Sequence, residues 1–77
     1  MEISEEAYLL LMNLGNGTVR IPCRYNRSEL NEYERELVDA HLVTPRERGF
    51  LLKRAFYVPS AKGYVYVLSR RFEDDSR

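Results

Sequence analysis

Apolar residues at Ile3, Ala7, Leu10, Leu11 and Leu14 recur at the spacing of one helix face, and the run from Ala7 to Met12 is apolar nearly all round. This predicts a central core helix. Ser4 stands where an N-cap is needed, and Glu5 and Glu6 in the first turn suit the positive end of the helix dipole. Gly15-Asn16-Gly17 ends it, because Gly and Asn tolerate the left-handed backbone found just past a helix. Val19 and Ile21 then alternate with Arg20 up to Pro22, the pattern of a short edge strand.

A second amphipathic helix is predicted over roughly residues 28–40, with Leu30, Tyr33, Leu37 and Val38 on one face and Glu29, Glu32 and Glu36 largely opposite. Asn26 or Ser28 can cap it, and with Asn26 as the cap Glu29 takes the capping-box position. His41 falls at its end, where Leu42 can pack on Leu37 in a Schellman-type cap. Pro45 followed by Arg46-Glu47-Arg48-Gly49 reads as a polar turn. Residues 50–58 alternate imperfectly, with Phe50, Leu52, Phe56 and Val58 on one side, and are read as a strand.

Residues 59–71 satisfy two readings. Tyr64-Val65-Tyr66-Val67-Leu68 is rich in strand formers and can return as a hairpin across Pro59 to Gly63. Equally, Ser60 can cap a helix that gathers Ala61, Tyr64, Val65, Leu68 and Phe72 on one face. The expected organisation is a single domain over residues 1–72 and a frayed polar tail over 73–77.

Two segments carry a family likeness. Glu36-Leu37-Val38-Asp39-Ala40-His41-Leu42-Val43-Thr44, within the order helix, short strand, helix, strands, is similar to the recognition-helix end of the winged helix-turn-helix group, where Gly commonly stands at the position of His41. Val58 to Tyr64 resembles the Thr/Ser-x-x-Gly start of the closing helix in many such regulators. The resemblance implies a small α+β, winged-helix-like domain and a DNA-associated role in transcription regulation. The stretch between Gly17 and the second helix has room for a strand, Pro22 and one irregular turn, so a reduced or diverged form is expected.

Composition narrows the function classes. The 77 residues hold 12 Lys+Arg and 12 Asp+Glu, so no whole-molecule field favours a polyanion. Charge is instead segregated: residues 20–27 and 42–71 are basic, residues 1–19 and 28–41 acidic. If the fold merges the basic stretches, Arg20, Arg24, Arg27, Lys53, Arg54 and Lys62 are the candidate phosphate contacts to double-stranded DNA. Lys62 is expected near the tip of a wing. The carboxylates of the second helix disfavour its reading bases in a groove.

The alternative is an adaptor or inhibitor acting on a protein partner, with Tyr57 and Tyr66 among the candidate contacts, since six tyrosines exceed what so small a core can hold. A homodimer is a third possible arrangement. The single cysteine, Cys23, points to a reducing, cytoplasmic setting. It lies between Pro22 and Arg24, which could lower a thiol pKa; the simpler reading is a small semi-buried side chain. No apolar run approaches the ~20 residues of a membrane span. One His, placed for a capping task, and no metal-ligand or phosphate-loop pattern argue against an enzyme and against a cofactor.

Overall fold

A computed structural model describes residues 2–23, 26–47 and 55–75. It is an α+β fold of helices α1 (Glu5–Gly15), α2 (Glu32–Asp39) and α3 (Ala61–Asp75), and strands β1 (Ile21–Pro22), β2 (Val43–Glu47) and β3 (Ala55–Pro59). The strands form one antiparallel sheet in the order β1-β3-β2, so both β1 and β2 are edges. α1 packs against α2, α3 and β3. Its Ala7, Tyr8, Leu11 and Leu14 meet Ile21, Leu30, Leu37, Leu42 and Val43 in the core.

The first helix forms as its sequence predicts. The Ser4 hydroxyl accepts from the Ala7 N–H at 3.3 Å, and Gly17 takes φ +82° beyond the C-cap Asn16. α2 is shorter than predicted. Residues 27–29 make a single 3-10 turn, and the cap is Asn31 rather than Asn26 or Ser28, in a reciprocal capping box with Glu34 at 2.8 Å each way.

The end of α2 is the expected Schellman motif. His41 has φ 59°, its N–H reaches the Val38 carbonyl, and the Leu42 N–H reaches the Leu37 carbonyl, each at 3.0 Å.

Two sequence readings are corrected. Pro45 to Glu47 are strand, not turn: β2 is an edge, where a residue without an N–H can be accommodated. Arg48 and Gly49, the rest of that expected turn, lie outside the described residues, as do residues 50–54 of the expected strand.

Residues 61–75 are helix throughout, so the hairpin alternative fails and Glu73 to Asp75 extend α3 rather than fray. Ser60 decides this. Its hydroxyl accepts from the Gly63 N–H at 3.0 Å and donates to the His41 carbonyl at 2.8 Å, while its N–H donates to the Leu42 carbonyl at 3.0 Å. One residue thus caps α3 and ties it to the end of α2, which outweighs the strand propensity of the tyrosines and valines that follow.

The face of α3 that packs is also not the one that Ala61, Tyr64, Val65, Leu68 and Phe72 form. Gly63 is buried and Tyr66, Val67 and Arg70 are half-buried, whereas Tyr64, Val65, Leu68 and Phe72 point to solvent.

Candidate nucleic-acid interface

Antiparallel register fixes which side chains share a face of the sheet, because residues directly opposite one another project the same way. Ile21 opposes Tyr57, and Val43 opposes Pro59; these belong to the inner face, under α1. Phe56 is opposed by Pro22 on one side and Arg46 on the other, and Val58 by Thr44, which makes the outer face. Arg20, one residue before β1, joins that face: its guanidinium carbon lies 5.9 Å from the centre of the Phe56 ring. Arg20 and Arg46 are exposed, and Phe56 between them is half-buried. Neither arginine is paired with a carboxylate among the described side chains.

The outcome is two solvated cations flanking one aromatic ring. Arg46 stands toward the end of the sheet where β2 leaves and β3 returns, and Arg20, just before β1 and level with Val58, stands one step back from it. By sequence the segment joining those strands carries Arg48, Lys53 and Arg54; it lies outside the described residues. Chemically, such a face can neutralise phosphates and offer a ring against which a sugar or base can rest.

The remaining sequence candidates are distributed differently. Arg24 is outside the described residues. Arg27, on the 3-10 turn, is ion-paired with Asp39 at the end of α2, both side chains being at least half exposed. Lys62 is exposed in the first turn of α3. It follows β3, so the length of that strand separates it from the β2–β3 connection, and it is not at a wing tip.

Tyr57 is half-buried on the inner face beside Cys23; burial first, and then the Cys23 charge, push its pKa up. Burial likewise raises the Cys23 thiol, the opposite direction from an activated nucleophile. Tyr66 is committed to packing. Its hydroxyl accepts from the Ile3 N–H at 3.4 Å and from Arg70 at 3.3 Å, and its ring meets Tyr8 edge-on with centroids 6.2 Å apart.

Several charges that sequence counts for or against DNA prove to be structural. Glu36 accepts from the Ser4 N–H at 2.5 Å and the Ser4 hydroxyl at 2.8 Å, joining α2 to the start of α1. Glu34 serves the capping box, and Asp39 pairs with Arg27. Arg70 lies 4.0 Å over the Tyr8 ring and pairs with Glu5. Burial lowers its pKa, but the Tyr66 hydrogen bond and the Glu5 carboxylate outweigh burial and the net direction is up.

With this geometry in place, known proteins add nothing to it. No family model, curated protein or solved structure matches the chain.

Sequence reasoning counts Arg46 among the basic residues of 42–71 but, reading it as turn, leaves it out of the phosphate contacts. The signal that could have found it was the alternation Val43-Thr44-Pro45-Arg46, which has the period of a strand once Pro45 is allowed on an edge. Among the described residues no helix is long and apolar enough to cross a membrane, and no group of three or more His, Cys, Asp or Glu is placed to hold a metal.

Proposed function

We propose that this chain is a non-catalytic regulatory module that associates with double-stranded DNA, gripping the phosphate backbone with the outer face of its sheet. The observation that carries this reading is the convergence of Arg20 and Arg46 on either side of Phe56, next to a connection rich in Arg and Lys. α2 does not read bases in this scheme. Glu29 and Glu32 remain exposed along its approach and would repel phosphates at close range. Binding is therefore backbone-directed and weakly dependent on sequence.

The test is fluorescence anisotropy with a labelled duplex across a salt series. Wild type should bind at low salt and weaken steeply as salt rises. Arg20→Glu with Arg46→Glu should weaken binding at all salt concentrations and flatten the log-log salt slope by about 0.9 for each phosphate that is no longer neutralised. Equal binding by this double variant, or none by wild type at ~50 mM salt, overturns the proposal. The adaptor alternative cannot use Tyr57 and Tyr66 without disturbing packing, which is why the DNA reading is preferred.

A further inference from the structure

Among the described residues, the most exposed large apolar side chains lie on α3, on the side turned away from its own core. Tyr64, Val65, Leu68 and Phe72 are 51%, 62%, 64% and 75% exposed, while the opposite face, with Gly63 and Arg70, does the packing. Gly63 fixes this choice, because a Cβ there would stand 2.1 Å from the Leu42 carbonyl oxygen, so the helix cannot be rolled to bury its apolar side. The spacing Ala61, Val65, Leu68, Phe72 alternates four and three, the seam of a helix that pairs with another helix.

We infer that this seam is covered by a second copy of the chain, with the two α3 helices antiparallel about a two-fold axis at Leu68.

The charge order of α3 selects this occupant. The helix has no acid in its first turn and no base in its last, opposite to what its dipole favours; Lys62 stands at the start, and Glu73 and Asp74 near the end. An antiparallel second copy brings each acidic end beside the other's positive N-terminus.

One register brings the complementary side chains to within one residue, ~1.5 Å, of the same level. With Leu68 on the axis against its symmetry mate, Val65 faces Phe72 of the other copy. On one edge of the seam Lys62 comes opposite Glu73, and on the other Tyr64 comes opposite Arg71, a cation–π pairing. Each is made twice. Phe72, the most exposed side chain of the four, arrives at Tyr64 and Val65, at the rim of an apolar hollow lined by Leu11, Met12, Gly15, Pro59 and Leu68. The stripe amounts to roughly 1,000 Å² over the pair, the low end for a specific interface, so the dimer should be a reversible one. This inference uses none of the residues assigned to DNA and stands or falls apart from that reading.

Sedimentation velocity over roughly 1–200 μM tests it, a range set by the micromolar affinity expected of a small interface. Wild type should shift from monomer to dimer with concentration, and Leu68→Glu and Phe72→Glu should each sediment as monomer. Far-UV circular dichroism should show both variants folded, since neither side chain belongs to the core.

Orientation is read by oxidative cross-linking in a Cys23→Ser background. A mixture of Tyr64→Cys and Phe72→Cys chains should form the mixed disulfide, whereas Tyr64→Cys alone should not, as the like positions are then about 12 Å apart along the helices. A wild-type monomer throughout the range, dimers undiminished by either glutamate, or preferential cross-linking of Tyr64→Cys to itself would each overturn the inference.

Discussion

Gly63→Ala separates local from tertiary control of α3, because the two predict opposite signs. In an isolated helix Ala is favoured over Gly by about 1 kcal/mol, so intrinsic propensity predicts a more stable protein. In the fold, the added Cβ would lie 2.1 Å from the Leu42 carbonyl oxygen and 3.5 Å from Leu11 Cδ1. Restoring ordinary van der Waals separation requires α3 to move off Leu42 by roughly 1 Å or more.

That movement strains the Ser60 N–H bond to the same Leu42 carbonyl and the Ser60 hydroxyl bond to His41. Overpacking of this kind costs about 1–3 kcal/mol, and a weakened hydrogen bond adds about 1 kcal/mol. After the propensity gain, a net loss of about 1–3 kcal/mol remains, a fall in Tm of roughly 5–20 °C for a domain of this size.

Gly15→Ala is the control. Its Cβ would find nothing closer than Pro59 Cγ at 3.8 Å, so it should melt at or slightly above wild type. Thermal melts followed by far-UV circular dichroism, with urea titrations beside them, read both variants. If Gly63→Ala melts at or above wild type, the close approach of α3 to Leu42 does not set the helix, and the outward orientation of its apolar stripe loses its cause.

Glu36→Ala should cost about 1–3 kcal/mol by urea unfolding, since it removes the carboxylate that accepts two hydrogen bonds from Ser4; Glu36→Gln should lose less, and a Glu36→Ala value within about 0.5 kcal/mol of wild type would refute this link between α1 and α2. Burial raises the Cys23 thiol, so its iodoacetamide alkylation profile should lie at higher pH in the folded chain than in urea, and equal or faster reaction of the folded chain at neutral pH would contradict the placement. The folded state holds that proton more tightly, so this group's contribution to stability is intact below the unfolded thiol pKa and declines as pH rises through the raised value.

The features legible in the sequence are those with local causes. α1 carries its own cap, its acidic first turn and its glycine stop. The Schellman turn at His41 and Leu42 needs only contacts within five residues. β1 is marked by alternation and closed by Pro22. Less was legible where two local rules competed. Asn26 and Ser28 were the two caps expected for α2, and neither begins it. The capping box chose Asn31 because Glu34, three residues on, reaches back to it, while the chain before it made a 3-10 turn with Arg27 tied to Asp39. The site was legible only as residue types: Arg20 was singled out, but Arg46, assigned to a turn, was left out of the contacts, and Arg27 and Lys62 lie elsewhere.

Sequence by itself determined the α+β class, the first helix, the end of the second and the segregation of charge, since these follow from periodicity, capping chemistry and short-range backbone preference. Tertiary structure alone decided that residues 61–75 are helix, which side of that helix faces inward, and which arginines share a sheet face. Those depend on Ser60 meeting His41 and Leu42, on a glycine pressed against a carbonyl, and on strand register, all of them contacts between residues far apart in the chain. Periodicity marks an apolar face, but only the space left by the rest of the fold determines whether the chain itself can cover it.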